Sequence, residues 1–108
     1  MNYVELAMID PSTEDDPVGT YGMKWLEFMQ GNHPKLVKRM IIDGTLVAVA
    51  RSVDDDAWEY RELLDNQYAK AYPRPNGFEE IVRWETTRTF YTDSEVMRDK
   101  VLVRITAV

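Results

Sequence analysis

From Thr20 to Ala71 the apolar side chains recur three and four positions apart, in runs closed by glycine and proline. That spacing gathers apolar groups on one side of an α-helix and would scatter them over both faces of a strand. Tyr21, Trp25, Phe28 and Met29 make the first stripe, with Thr20 placed to cap its start and Gly31 to end it. Asn32-His33-Pro34 then joins a capping side chain to a proline suited to a first helical turn. Leu36, Val37, Met40 and Ile41 form the second stripe, which Gly44 stops. The third is the most regular: Ala57, Tyr60, Leu64, Tyr68 and Ala71 follow three acids, Asp54 to Asp56, that suit the positive end of a helix dipole. Tyr72-Pro73-Arg74-Pro75 ends it, because residues before proline avoid the α region. Phe78, Ile81 and Trp84 or Glu85 fall at the spacing of a fourth helix, and Asp93-Ser94-Glu95 either cap a fifth or interrupt a long one.

Three stretches carry strand character. Residues 2–9 alternate, with Val4, Leu6 and Met8 on one side. Residues 45–53 fit both periods, and 101–108 is rich in β-branched residues. The expected fold is mainly α, a compact single-domain helical bundle with a short N-terminal strand. The alternative is α+β, with a small sheet from 2–9, 45–53 and 101–108. An acidic strand or arm over 1–19 precedes one helical domain over 20–108.

Charge is unevenly placed within a formal total of −6. Residues 1–23 hold Glu5, Asp10, Glu14, Asp15 and Asp16 and no base, leaving the body nearly neutral. A net negative chain draws neither nucleic acid nor anionic lipid by its overall field. With no cysteine and one histidine, disulfides, thiolate nucleophiles and the usual zinc ligand sets are ruled out. No apolar run approaches the ~20 residues of a membrane span, and the start lacks the basic flank of a signal peptide. The expected setting is the cytoplasm of a bacterial host.

Little in the chain points to catalysis. Ser12, Ser52 and Ser94 sit in no nucleophile-elbow context, the five glycines are scattered, and Glu79 and Glu80 diverge on a helix. The expectation is a protein that is not an enzyme and takes no cofactor or metal. Lys35, Lys38 and Arg39 make one basic helix face, and helix 34–43 with its Gly44 turn has helix-turn-helix spacing. Three cations on an acidic chain are a thin footprint for nucleic acid. Protein contact has better support, since three tryptophans and six tyrosines are plentiful for a small core. Trp58 lies off the third stripe and is the candidate anchor, with the arm residues Glu14, Asp15 and Asp16 as a second contact.

Several spacings together resemble the TnpV family of small transposon-encoded proteins. They are Pro17-Val18-Gly19-Thr20-Tyr21-Gly22, His33-Pro34-Lys35-Leu36, Met40-Ile41-Ile42-Asp43-Gly44-Thr45-Leu46 and Asp54 through Leu64. The likeness is closest over 17–70 and looser over 78–105, where Ser94-Glu95-Val96 and Val101-Leu102 carry it. It implies a mainly helical protein of bacterial mobile elements and brings no catalytic residues. Family members tend to be basic after the YG or WG pair, where this chain has Met23-Lys24-Trp25-Leu26-Glu27. The expected function is a non-enzymatic accessory role exerted by binding a macromolecule, a protein first. One alternative is an inhibitor of a nucleic-acid enzyme, of anti-CRISPR or anti-restriction type. It would mimic phosphates with Glu14, Asp15 and Asp16 and with Asp54 to Asp56. The other is a DNA-binding excision factor using Lys35, Lys38 and Arg39.

Overall fold

Helix α1 spans Thr20–Asn32, α2 Pro34–Asp43, α3 Leu46–Ala71 and α4 Phe78–Val96, followed by a π-helical turn over Met97–Val101. The structure is a computed structural model and describes residues 18–103. The mainly α reading holds, and there is no strand among the described residues. Residues 2–9 and 104–108 lie outside them, as do Glu14, Asp15 and Asp16.

Residues 45–53, open to either period, are helical from Leu46 onward. Gly44 decides this. At φ 74° it adopts the left-handed conformation and donates its N–H to Ile41, while Thr45 N–H reaches Met40 O at 2.9 Å. That pairing is the glycine-terminated helix end in which the two residues past the helix satisfy its last carbonyls. The chain thus reverses within two residues, and Leu46, Ala50, Val53 and Ala57 bury one stripe of α3.

The acids Asp54 to Asp56 do not open a helix as their sequence suggests; α3 runs straight through them. Nor does Asp93-Ser94-Glu95 start a new one, since α4 continues to Val96. Asn32 serves α1 rather than α2: its side-chain amide donates to Phe28 O at 2.8 Å. His33 closes α1 and precedes Pro34, the first residue of α2, with its ring edge-on to Phe28.

The core joins Val18, Tyr21, Trp25, Leu26 and Met29 to Val37 and Met40 of α2, to the α3 stripe, and to Val96 and Val101. Leu26 takes the buried place that the sequence assigns to Phe28, which is only half-buried. Helices α1 and α3 meet backbone to backbone. A Cβ on Gly22 would stand 2.6 Å from Ala50 O and 2.3 Å from Val18 Cγ1, so only glycine fits there.

The molecule measures 53 × 25 × 21 Å. Its length comes from α3, whose 26 residues reach about 39 Å, and from α4 running back beside it. Helices α1 and α2 cover only the base of this hairpin. Of α4, Thr92 and Val96 alone are buried, both near its C-terminal end. Toward the tip, Tyr68 gathers the rings of Tyr72, Trp84 and Tyr91 at 5.0–5.9 Å. Trp84 Nε1 donates to Tyr72 O at 2.7 Å and ties the linker to α4. No helix among the described residues is long and apolar enough to cross a membrane.

Candidate protein-binding surface

Gly19 sits at the N-cap of α1, where a side-chain oxygen usually accepts one of the free helical N–H groups. Glycine has none to offer. Asp54 of α3 supplies it: its Oδ1 accepts the Gly22 N–H at 3.0 Å, the third helical position. A Cβ on Gly19 would meet the same carboxylate at 2.4 Å, so the missing side chain at 19 is what lets Asp54 in. The carboxylate also faces the positive end of the α1 dipole. The expected helix-terminal role of these acids is therefore real for Asp54, on a different helix, whereas Asp55 and Asp56 are exposed.

This junction places Tyr21 against the middle of α3. Its ring meets Trp58 edge-on at 5.0 Å. Its hydroxyl donates to Asp93 Oδ1 at 2.8 Å and accepts from Arg61 Nη1 at 3.0 Å. Burial first, and the Asp93 carboxylate second, push the Tyr21 phenol up to about 12. Arg61 turns back over the Trp58 ring at 5.3 Å and pairs with Asp65 at 3.9 Å. Asp65 also faces Arg88 at 3.7 Å, and Arg88 pairs with Glu85 at 2.5 Å while lying over Trp84.

Between α3 and α4, just past the start of α1, these groups bound a groove of about 680 Å³. Trp58, Arg61, Asp65 and Arg88 line it together with the exposed acids Asp55, Glu59 and Glu62. Trp58 is 45% exposed, yet it is held on one side by Tyr21 and on the other by Arg61. Asp65 Oδ1 and Arg88 Nε have no hydrogen-bond partner.

Lys35, Lys38 and Arg39 are all exposed on the outer face of α2, beside the exposed Ile42. They form one patch, as their spacing implies, but Trp58 stands about 18 Å up α3 from the turn that follows α2. Two separate surfaces result. In the half of α3 that follows the Gly44 turn, the exposed acids Asp55 and Asp56 carry charge that opposes a phosphate backbone. Among the described residues no three His, Asp or Glu side chains come together as a metal site.

Trp58 stands out in the sequence as an anchor candidate, but the residues packed around it do not. Arg61–Asp65 and Glu85–Arg88 carry i,i+4 and i,i+3 signals that sequence can show. The links from Tyr21 to Asp93 and from Asp54 to Gly22 span 72 and 32 residues and leave no local signal.

A family model described as transposon-encoded protein TnpV matches residues 3–97. No curated protein and no solved structure matches the chain.

Proposed function

The chain belongs to the TnpV family of transposon-encoded proteins, and from that premise we propose that it is a non-catalytic accessory protein of a bacterial mobile element that acts by binding another protein. The observation that carries this reading is Trp58, an aromatic ring half exposed in the lining of a groove and packed against Tyr21 and Arg61. Tryptophan is among the residues that most often anchor interfaces, and a ring already packed against its neighbours avoids part of the entropy cost of binding. The lining acids Asp55, Glu59 and Glu62 favour a partner segment that carries lysine or arginine.

The test compares partner capture by the wild-type chain, by Trp58→Ala, and by Lys35→Ala/Lys38→Ala/Arg39→Ala. Trp58→Ala forfeits the Tyr21 edge contact and the Arg61 cation–π contact, about 1 kcal/mol each, together with the packing of the covered half of the ring, and should stay folded. A partner lost with Trp58→Ala and retained by the triple variant supports the reading. Equal capture by Trp58→Ala refutes it.

A second reading, mimicry of nucleic acid by an inhibitor of anti-CRISPR or anti-restriction type, draws on the exposed acids Asp55, Asp56, Glu59 and Glu62 along α3. Inhibition of a nucleic-acid enzyme that survives neutralising these four acids together with Glu14, Asp15 and Asp16 would remove it. The excision-factor alternative falls if no gel shift occurs at low salt, where phosphate contacts are strongest.

A further inference from the structure

The outer face of α2 shows Lys35, Lys38, Arg39 and the exposed Ile42, at i, i+3, i+4 and i+7. The side of α3 that lines the Trp58 groove carries Asp55, Trp58, Glu59 and Glu62, all exposed, at the same four intervals. Each set covers about two turns of one helix face. One sets positive charge beside an apolar side chain, and the other sets negative charge beside an aromatic one. Among the described residues none of these three cations or three acids takes part in an ion pair. The remaining charges of the groove are engaged: Arg61 pairs with Asp65, and Arg88 with Asp65 and Glu85. The groove is thus left with uncompensated negative charge and α2 with as much positive charge. No residue of α2 lines the groove, so one copy does not bring its own two faces together.

We propose that the groove receives helix α2 of a second copy of this chain, with Lys35, Lys38 and Arg39 of one copy meeting Asp55, Glu59 and Glu62 of the other. The proposal rests on the reading of the Trp58 groove as a protein-binding site and gives that site its basic occupant. Charge complementarity selects the occupant and its placement on the groove. Lysine and arginine also suit the 45% of Trp58 left exposed, with aliphatic stems against the ring and charged heads at the acids. The formal −6 of the chain opposes the approach of two copies. At physiological salt that repulsion is screened beyond about 8 Å, whereas the two faces are in contact. Exposed ion pairs are individually weak and fade as salt rises. The association is therefore reversible, grows with concentration and is lost at high salt. Because patch and groove are different surfaces, the contact is heterologous.

Sedimentation velocity of the full chain over a concentration series reads this in about 0.1 M and about 1 M salt, where the Debye length falls from about 10 to about 3 Å. The wild type should associate in the first and be monomeric in the second. Lys35→Glu/Lys38→Glu/Arg39→Glu and Asp55→Lys/Glu59→Lys/Glu62→Lys should each be monomeric in both, with unchanged helicity. An equimolar mixture of the two variants should associate again, since each presents the charge that the other's swapped face requires. A wild type that stays monomeric at the highest concentration in low salt overturns the proposal. So does association that persists in high salt or in either variant alone, or a mixture that stays monomeric. A monomeric wild type that still captures a foreign protein through Trp58 overturns the second copy as occupant and leaves the protein-binding reading intact.

Discussion

Replacing Asp54 with alanine should destabilise the protein far more than replacing either neighbouring acid. Asp54 Oδ1 accepts the Gly22 N–H at 3.0 Å, so Asp54, a residue of α3, does for α1 what a side chain at the N-cap Gly19 would do. Loss of an N-cap acceptor costs about 0.5–2 kcal/mol, and loss of an anion at a helix N-terminus adds about 0.3–1 kcal/mol. No side chain at Gly19 can take over, so the two losses add and Asp54→Ala should cost about 2 kcal/mol. At roughly 4 °C per kcal/mol for a domain of this size, Tm should fall by about 8 °C. Asp54→Asn keeps an acceptor oxygen without the charge and should lose about half as much. Asp55→Ala and Asp56→Ala, both exposed on the same helix, should stay within about 0.5 kcal/mol. Urea unfolding followed by far-UV circular dichroism measures all four. The reasoning is refuted if the three alanine variants are equally stable, since the acids would then act alike. Gly22→Ala probes the same junction from the α1 side. Its new methyl would meet Ala50 O, a backbone atom that cannot swing aside, and should cost at least as much as the lost cap.

The raised phenol of Tyr21 predicts a loss of stability at alkaline pH. Its ionisation is displaced from 10.0 to about 12, so the folded state favours the neutral form. The contribution is complete below pH 10 and is lost as pH rises from 10 toward 12, when the unfolded chain ionises first. Tyr21→Phe should flatten that alkaline decline in a pH series of unfolding midpoints, and an unchanged slope would exclude Tyr21 as its source. Trp25→Ala should cost about 3–5 kcal/mol, because Trp25 is fully buried at the centre of the core. That is a large share of the 5–15 kcal/mol typical of a whole domain. A well-folded Trp25→Ala at 37 °C would show that α1 contributes less to the core than its burial indicates.

Much of this architecture is legible in the amino-acid sequence. The four helical stripes, the stop at Gly44, the entry at Pro34 and the break at Tyr72-Pro73 depend on neighbours within one or two turns. Backbone sterics and local hydrogen bonds decide them. The ambiguous 45–53 could not be settled locally, because Val47 and Val49 suit a strand as well as Leu46 and Ala50 suit a helix. What settled it was a surface on α1 ready to receive the helical stripe. The placement of Asp54 to Asp56 at a helix start failed for a related reason. An acid's preference for a helix N-terminus does not specify whose helix.

The sequence by itself determined that the chain is helical, where most of its helices begin and end, and which tryptophan stands off its stripe. Only the tertiary structure decided how far each stripe is covered. Periodicity assigns every helix one apolar face, yet cover depends on the length and direction of the helices packed against it. Because α1 and α2 reach only the base of the α3–α4 hairpin, Trp58 opens onto a groove and Phe78, Val82 and Phe90 face outward. Phe78 and Val82 lie on the helical period that continues as Thr92 and Val96 within the core, whereas Phe90 stands on another side of α4. Residues alike in sequence became core or surface according to where a neighbouring helix stopped.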